Sequence, residues 1–212
     1  MTIKVKNLSK VIKGITVLNN ISVEMESGYI YGLSGINGSG KTMFMRVLSG
    51  LILPTEGEVI IDNKKLGEEL SFPQNMGLLL ENPAFIAGYT GFMNLKILAA
   101  IRGTTTDEEI RKALDSVGLN PNDKRKYKKY SLGMKQRLGI ACAIAENPDL
   151  IILDEPFNAL DETGITQIEN LLYELRKKGK LILLSCHDKE QLYNLSDRIF
   201  EIKEGRLSED NR

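Results

Sequence analysis

The sequence predicts an α/β fold, a mainly parallel sheet covered by helices, and three observations carry that expectation. A short apolar strand, Tyr29 to Leu33, runs into the glycine-rich octet Gly35-Ile36-Asn37-Gly38-Ser39-Gly40-Lys41-Thr42 and out into a helix, Met43 to Leu48. A second apolar strand, Leu150 to Leu153, ends in two acids, Asp154 and Glu155. From residue 139 onward, helical and extended patterns alternate, as they do where parallel strands are joined by crossover helices.

Taken in order, residues 2–33 read as a β-rich opening, with Ile3 to Asn7 alternating, Val17 to Val23 following, and a turn at Ser27-Gly28. Gly50 is placed to stop the helix after the octet. Leu53 to Gly57 reads as a turn, Glu58 to Asp62 as a strand, and Met76 to Leu80 as another apolar run ended by Asn82-Pro83. Residues 84–138 change character. Asn94 to Ile101 and Asp107 to Val117 have helical spacing, with Thr106 or Asp107 as the N-cap. The final stretch gives a helix at Ile140 to Ala145, the strand at Leu150 to Leu153, and a helix at Gly164 to Lys177. A strand at Leu181 to Ser185, a helix at Asp188 to Leu195 and a strand at Ile199 to Ile202 complete it.

Composition narrows the function classes. The chain has 212 residues, 42% hydrophobic and 26% charged, which suits one globular domain carrying a subdomain. Its 28 basic residues balance 28 acidic ones, so net charge gives no sign of a nucleic-acid partner. No apolar run approaches the roughly 18 residues of a membrane span, and Met1 to Val5 lacks a signal-peptide core. A cytoplasmic chain is expected, with any membrane span supplied by another chain. Cys142 and Cys186 have no metal-ligand spacing and read as small buried residues in a reducing compartment. In Lys124-Arg125-Lys126-Tyr127-Lys128-Lys129, five of six residues are basic. The run reads as a solvated loop or as a surface near anionic lipid or phosphate; it lacks the aromatic platform of a nucleic-acid site.

The octet carries a specific chemistry. Its glycines let the backbone curl so that successive N–H groups of Gly35, Asn37, Gly38, Ser39 and Gly40 face phosphate oxygens, and the following helix adds its positive end. Lys41 reaches the β and γ phosphates and Thr42 offers its hydroxyl to Mg²⁺. Asp154 is the acid that holds Mg²⁺, and Glu155 the one that activates a water. The only histidine, His187, follows a strand expected to lie beside the Asp154 strand, where it can donate to the γ phosphate.

Together with Tyr130-Ser131-Leu132-Gly133-Met134-Lys135-Gln136-Arg137 and Asn158-Ala159-Leu160-Asp161, these motifs resemble, in order and spacing, an ATP-binding cassette of an ABC transporter. The resemblance covers nearly the whole chain. It implies a P-loop NTPase fold with a RecA-like mainly parallel sheet, an N-terminal antiparallel β subdomain and an inserted helical subdomain. Residues 1–81 and 139–212 would form the nucleotide-binding core and 82–138 the helical subdomain. It implies ATP and Mg²⁺ as ligands and ATP hydrolysis as the activity. Ser131 and Gly133 match the family's signature, which meets ATP held by a second cassette; Leu132 and Met134 replace its first glycine and its glutamine. The partners implied are an integral membrane permease and a second cassette, as a homodimer paired head to tail, with no nucleic acid. The implied location is the cytoplasmic face of the membrane.

Two departures stand out. Glu81 takes the position where the family usually has a glutamine, so an amide becomes a carboxylate beside Asp154 and Glu155, and Glu81 joins Thr42 and Asp154 as an expected metal contact. Val11 or Ile12 takes the place of the aromatic that stacks on adenine, so GTP is expected to compete with ATP. The form of the signature and of Leu80 to Phe85 is most similar to exporters and immunity systems for peptide antibiotics. Phe85, Tyr89 and Phe92 are expected either in the groove that docks the permease or in the core. Residues 209–212 are expected to end the chain without a regulatory domain. A soluble cassette ATPase acting on nucleic acid or ribosomes is the alternative, and a regulator that does not turn over is a third reading, which the presence of Lys41, Asp154, Glu155 and His187 gives no reason to prefer.

Overall fold

The computed structural model describes residues 1–81, 83–103 and 105–209. Asn82 of the expected Asn82-Pro83 turn and the last three residues, Asp210 to Arg212, lie outside the described residues. Two sheets organise the chain. The first is antiparallel, ordered β2-β1-β4-β5, from β1 (Thr2–Ile12), β2 (Ile15–Glu26), β4 (Glu56–Ile61) and β5 (Lys64–Lys65). The second is ordered β10-β9-β3-β8-β7-β6 and is parallel except for its last hairpin. It comprises β3 (Ile30–Ser34), β6 (Met76–Leu79), β7 (Leu150–Leu153), β8 (Leu181–Ser185), β9 (Arg198–Lys203) and β10 (Arg206–Glu209).

The apolar strands are apolar throughout because both faces of the large sheet are covered. Side chains alternate between the faces. Leu150, Ile152, Leu181, Leu183, Tyr31 and Leu33 join one core with the antiparallel sheet and with Phe44, Met45, Val47 and Leu48 of α1 (Lys41–Leu48). Ile151, Leu153, Ile182, Leu184 and Ile30 join another core. That second core is closed by α2 (Gly91–Arg102), α3 (Asp107–Ser116), α4 (Leu132–Ile144), α5 (Glu162–Lys177) and α6 (Lys189–Leu195). This is the architecture that the family resemblance implies: a mainly parallel sheet, an antiparallel N-terminal sheet and a helical insert.

The elements differ from the sequence reading mainly in extent. β1 and β2 are 11 and 12 residues long, joined at Lys13-Gly14, both in the left-handed region. Helix α4 begins at Leu132, two turns before the expected Ile140, with the Ser131 hydroxyl accepting from Met134 N–H at its start. The change of character between residues 138 and 139 therefore falls inside one helix. Thr106 caps α3 through a reciprocal capping box with Glu109. Phe85 and Phe92 pack against the second core, whereas Tyr89 is exposed. In the basic run, Tyr127 is buried and donates to the Pro83 carbonyl while the lysines and Arg125 remain exposed. Both cysteines are free thiols that burial pushes up to about 11, which leaves them unreactive at neutral pH.

The strand order sets the position of the site. β3, β8, β7 and β6 lie side by side, so the residues leaving their C-terminal ends share one edge. Gly77 of β6 is packed so tightly that a Cβ there would overlap the Ala143 carbonyl of α4 and crowd Pro148. Gly77→Ala is expected to cost about 1–3 kcal/mol, read as a lower urea midpoint with an unchanged slope.

Candidate active site

The loop between β3 and α1 needs glycine for contact as well as for backbone freedom. At Gly35, with φ 143°, a Cβ would run into the Ile202 carbonyl and stand 2.7 Å from Ser39 Oγ. At Gly40, with φ 116°, it would meet the Val17 carbonyl and the Leu18 side chain. Gly40 is also the residue before α1, and it supplies no side-chain cap. Among the described residues, each of the other five α-helices is capped by a side-chain oxygen, from Thr90, Thr106, Ser131, Asp161 and Asp188. The N-terminus of α1 thus keeps its N–H groups and partial positive charge for an anion from outside the chain. Lys41 is buried, and its ammonium donates to the Gly35 carbonyl at 2.6 Å and the Ile36 carbonyl at 3.2 Å, which uses two of its three donors.

The acids at the end of β7 are fixed by hydroxyls. Thr42 Oγ1 donates to one oxygen of Asp154 and Ser185 Oγ to the other, both at 2.6 Å. Ser185 Oγ in turn accepts the Glu155 N–H at 2.9 Å. Gln136 Nε2 of α4 donates to the Glu155 carbonyl at 2.9 Å, and the His187 N–H donates to Glu155 Oε2 at 3.1 Å. The His187 ring nitrogen Nε2 lies 3.3 Å from Glu155 Oε1 without hydrogen-bond alignment. That buried oxygen therefore accepts no hydrogen bond from the protein. Burial is the main force raising the Glu155 carboxyl above the usual glutamate value; Asp154 adds to the rise, and His187 and Lys41 oppose it.

Of the expected site residues, Asn37, Gly38, Gly40, Lys41, Thr42, Glu81, Asp154, Glu155 and His187 line one cavity of about 460 Å³. Gly35 and Ser39 shape its loop from behind, and Ser39 Oγ is a buried hydroxyl with no protein partner. Glu81 also pairs with Arg46 at 2.5 Å. Ser131 and Gly133 do not join this group. They line a second cavity of about 750 Å³ with Arg137, Ala159 and Asp161, and no residue lines both. A Cβ on Gly133 would stand 2.7 Å from the Ala159 carbonyl, so this position too requires glycine.

Sequence reasoning gave four contributors no place in this cavity. Ser185 and Gln136 hold the acids, and Asn158 and Val17 line the cavity. The available signal for Ser185 was a lone polar residue ending a buried strand beside an acid-ended one. Val17, at the start of β2, lines the cavity where Val11 or Ile12 was expected, and no Phe, Tyr or Trp lines it. The Glu155 shift has a consequence for stability. A carboxyl whose folded value lies above its unfolded one favours folding when protonated; that contribution is lost as pH rises through the folded value. Glu155→Gln is therefore expected to raise the Tm at neutral pH, with the difference vanishing below the ordinary carboxylate range. For a chain of this size each kcal/mol corresponds to roughly 2–4 °C, and thermal melts across pH check it.

The description "ABC transporter" matches residues 18–158. YybJ of Bacillus subtilis (strain 168), an uncharacterized ABC transporter ATP-binding protein, is 48% identical over 205 residues, covering 97% of this chain and 94% of that one. The bacitracin transport ATP-binding protein BcrA of Enterococcus faecalis is 40% identical over 210 residues, 98% of this chain and 68% of that one. The lantibiotic transport ATP-binding protein SrtF of Streptococcus pyogenes is 35% identical over 205 residues, 97% of this chain and 88% of that one. Among solved structures, the ATP-binding cassette MJ0796, dimeric in a post-hydrolysis state bound to ADP and Pi, superposes with a TM-score of 0.89 at 27% identity, covering 99% of this chain and 98% of that one. With the phosphate loop, the acid pair and these relatives in agreement, the chain belongs to the ABC transporter family, as an ATP-binding and ATP-hydrolysing cassette.

Proposed function

We propose that this chain is the ATPase subunit of an exporter of peptide antibiotics or related drugs, seated on the cytoplasmic face of a membrane permease and paired head to tail with a second copy of itself. The observation that carries the pairing is the division of the site. The phosphate loop with Asp154 and Glu155 lines one cavity, and Ser131 and Gly133 line another. An ATP in the first cavity meets a signature only if a second cassette brings one. The names of BcrA and SrtF support the substrate class. No described helix is long and apolar enough to cross a membrane, in keeping with a span supplied by the permease. Residues 1–81 and 139–212 serve as the nucleotide-binding unit, and 82–138 as the helical unit that carries the signature.

Within the site, the backbone N–H groups of residues 35–40, the open start of α1 and Lys41 hold the phosphates. The donors fit Mg²⁺: the Thr42 hydroxyl, the Asp154 carboxylate and, across the same cavity, Glu81 are all hard oxygen ligands. Among the described residues no three His, Cys, Asp or Glu form a metal cage by themselves, and a Mg²⁺ ion that keeps water and phosphate ligands does not require one. When bound, Mg²⁺ would supply positive charge against the charge that develops on the phosphates. Glu155 Oε1, buried and accepting no protein hydrogen bond, is the atom placed to take a proton from the attacking water. Burial brings the raised carboxyl nearer to working pH, and the His187 contact works against that rise. Ser185 and Gln136 fix the backbone that carries it.

Three experiments test this reading. Glu155→Gln with ATP is expected to elute as a dimer in size exclusion with light scattering; a monomer at saturating ATP overturns the pairing. Hydrolysis by the wild type is expected to fall on the acid side as Glu155 protonates. His187→Ala, which removes the influence that lowers the Glu155 value, moves that limb to higher pH, as a pH profile of kcat would show. Co-purification of a polytopic membrane protein with the tagged chain from solubilised membranes tests the permease, and recovery with ribosomes or DNA instead overturns it.

A further inference from the structure

The Glu81 carboxylate is held by the same helix that holds Asp154. β6 and β7 pair with Leu79 opposite Leu153, so Glu81 and Glu155, each two residues beyond its strand, occupy equivalent positions at the sheet edge. Both stand in the left-handed region, at φ 56° and 52°, where a side chain costs roughly a factor of ten in population or more. The two strand ends therefore turn in the same way, and each aims an acid at one cavity. Helix α1 reaches both acids through its side chains. Thr42 and Arg46 lie one turn apart on one face of it, Thr42 bonding Asp154 beyond β7 and Arg46 pairing with Glu81 beyond β6.

Three carboxylates, Asp154, Glu155 and Glu81, line a cavity whose only lysine or arginine is Lys41, with an ammonium already donating to the Gly35 and Ile36 carbonyls. Like charges so close repel. The guanidinium of Arg46 is the cation that compensates Glu81, and it stands outside the lining of the cavity. The pair is half exposed, with side-chain exposures of 35% and 62%, and an ion pair of that kind is weak enough to exchange for another partner. The geometry points to Arg46 as a positioning residue for Glu81: it draws the carboxylate to the cavity wall, away from Asp154, and so sets how strongly the site takes up Mg²⁺ with nucleotide.

This inference rests on the reading of the cavity as a Mg²⁺-nucleotide site. The test is binding rather than turnover. Fluorescently labelled ADP on the full chain is titrated with Mg²⁺ for the wild type, Arg46→Ala, Arg46→Lys, Glu81→Gln and the double variant Arg46→Ala/Glu81→Gln. Freed from its partner, Glu81 joins Asp154, so Arg46→Ala is expected to lower the half-saturating Mg²⁺ by about two- to fivefold. Arg46→Lys stays near the wild type, and Arg46→Ala has no further effect once Glu81 is glutamine. If Arg46→Ala does not fold, Arg46→Gln carries the same expectation. An unchanged Mg²⁺ midpoint in Arg46→Ala overturns the inference, as does a shift that persists in the Glu81→Gln background. Failure of the wild-type chain to bind labelled ADP at any Mg²⁺ concentration would overturn the nucleotide reading itself, a result separate from either of these.

Discussion

The pair of hydrogen bonds on the Asp154 carboxylate is the constraint from which the rest of the site is arranged. One oxygen is bonded to Thr42 in the first turn of α1 and the other to Ser185 at the end of β8. A buried carboxylate with both oxygens satisfied by hydroxyls has no rotational freedom left, and it ties three consecutive pieces of the sheet edge together. Ser185 extends the tie by accepting the Glu155 N–H, which fixes the strained turn that presents the second acid. The phosphate loop, Asp154 and Glu155 are thus tied together by one set of hydrogen bonds.

The large sheet makes that rigidity available. Each of its central strands is only four or five residues long, yet each feeds two cores, one shared with α1 and the antiparallel sheet, the other with the remaining helices. Short strands buried on both faces cannot slip register without moving apolar side chains on both sides at once. Their C-terminal ends are therefore held in a line, and the polar groups that leave those ends need no flexible loop to reach one another.

Much of this was legible in the sequence, and what was missed has physical causes. The octet, the Leu150 to Glu155 strand and the Leu181 to Ser185 strand were readable because function and burial there impose unusual local patterns. The first half of α4 was hard to read from apolar spacing because Lys135, Gln136 and Arg137 interrupt it, and most of the helix's buried residues lie in its second half. β10 was missed because Arg206-Leu207-Ser208-Glu209 is largely exposed and shows no buried face. Arg46 as the partner of Glu81 depends on a crossing of helix and strand ends 35 residues apart, which no local pattern records. The separation of Ser131 and Gly133 from Lys41 is likewise a fact of topology.

The bare start of α1 has a consequence for how this protein's stability is defined. With glycine rather than a serine or aspartate at its N-cap, α1 gives up about a few tenths of a kcal/mol of capping. The missing part is supplied from solution by any anion that the loop accepts. Mass action then makes the folded fraction a function of nucleotide concentration, with about 2.7 kcal/mol gained at a hundred times the dissociation constant. The folding equilibrium of this chain is thereby tied to the concentration of free nucleotide.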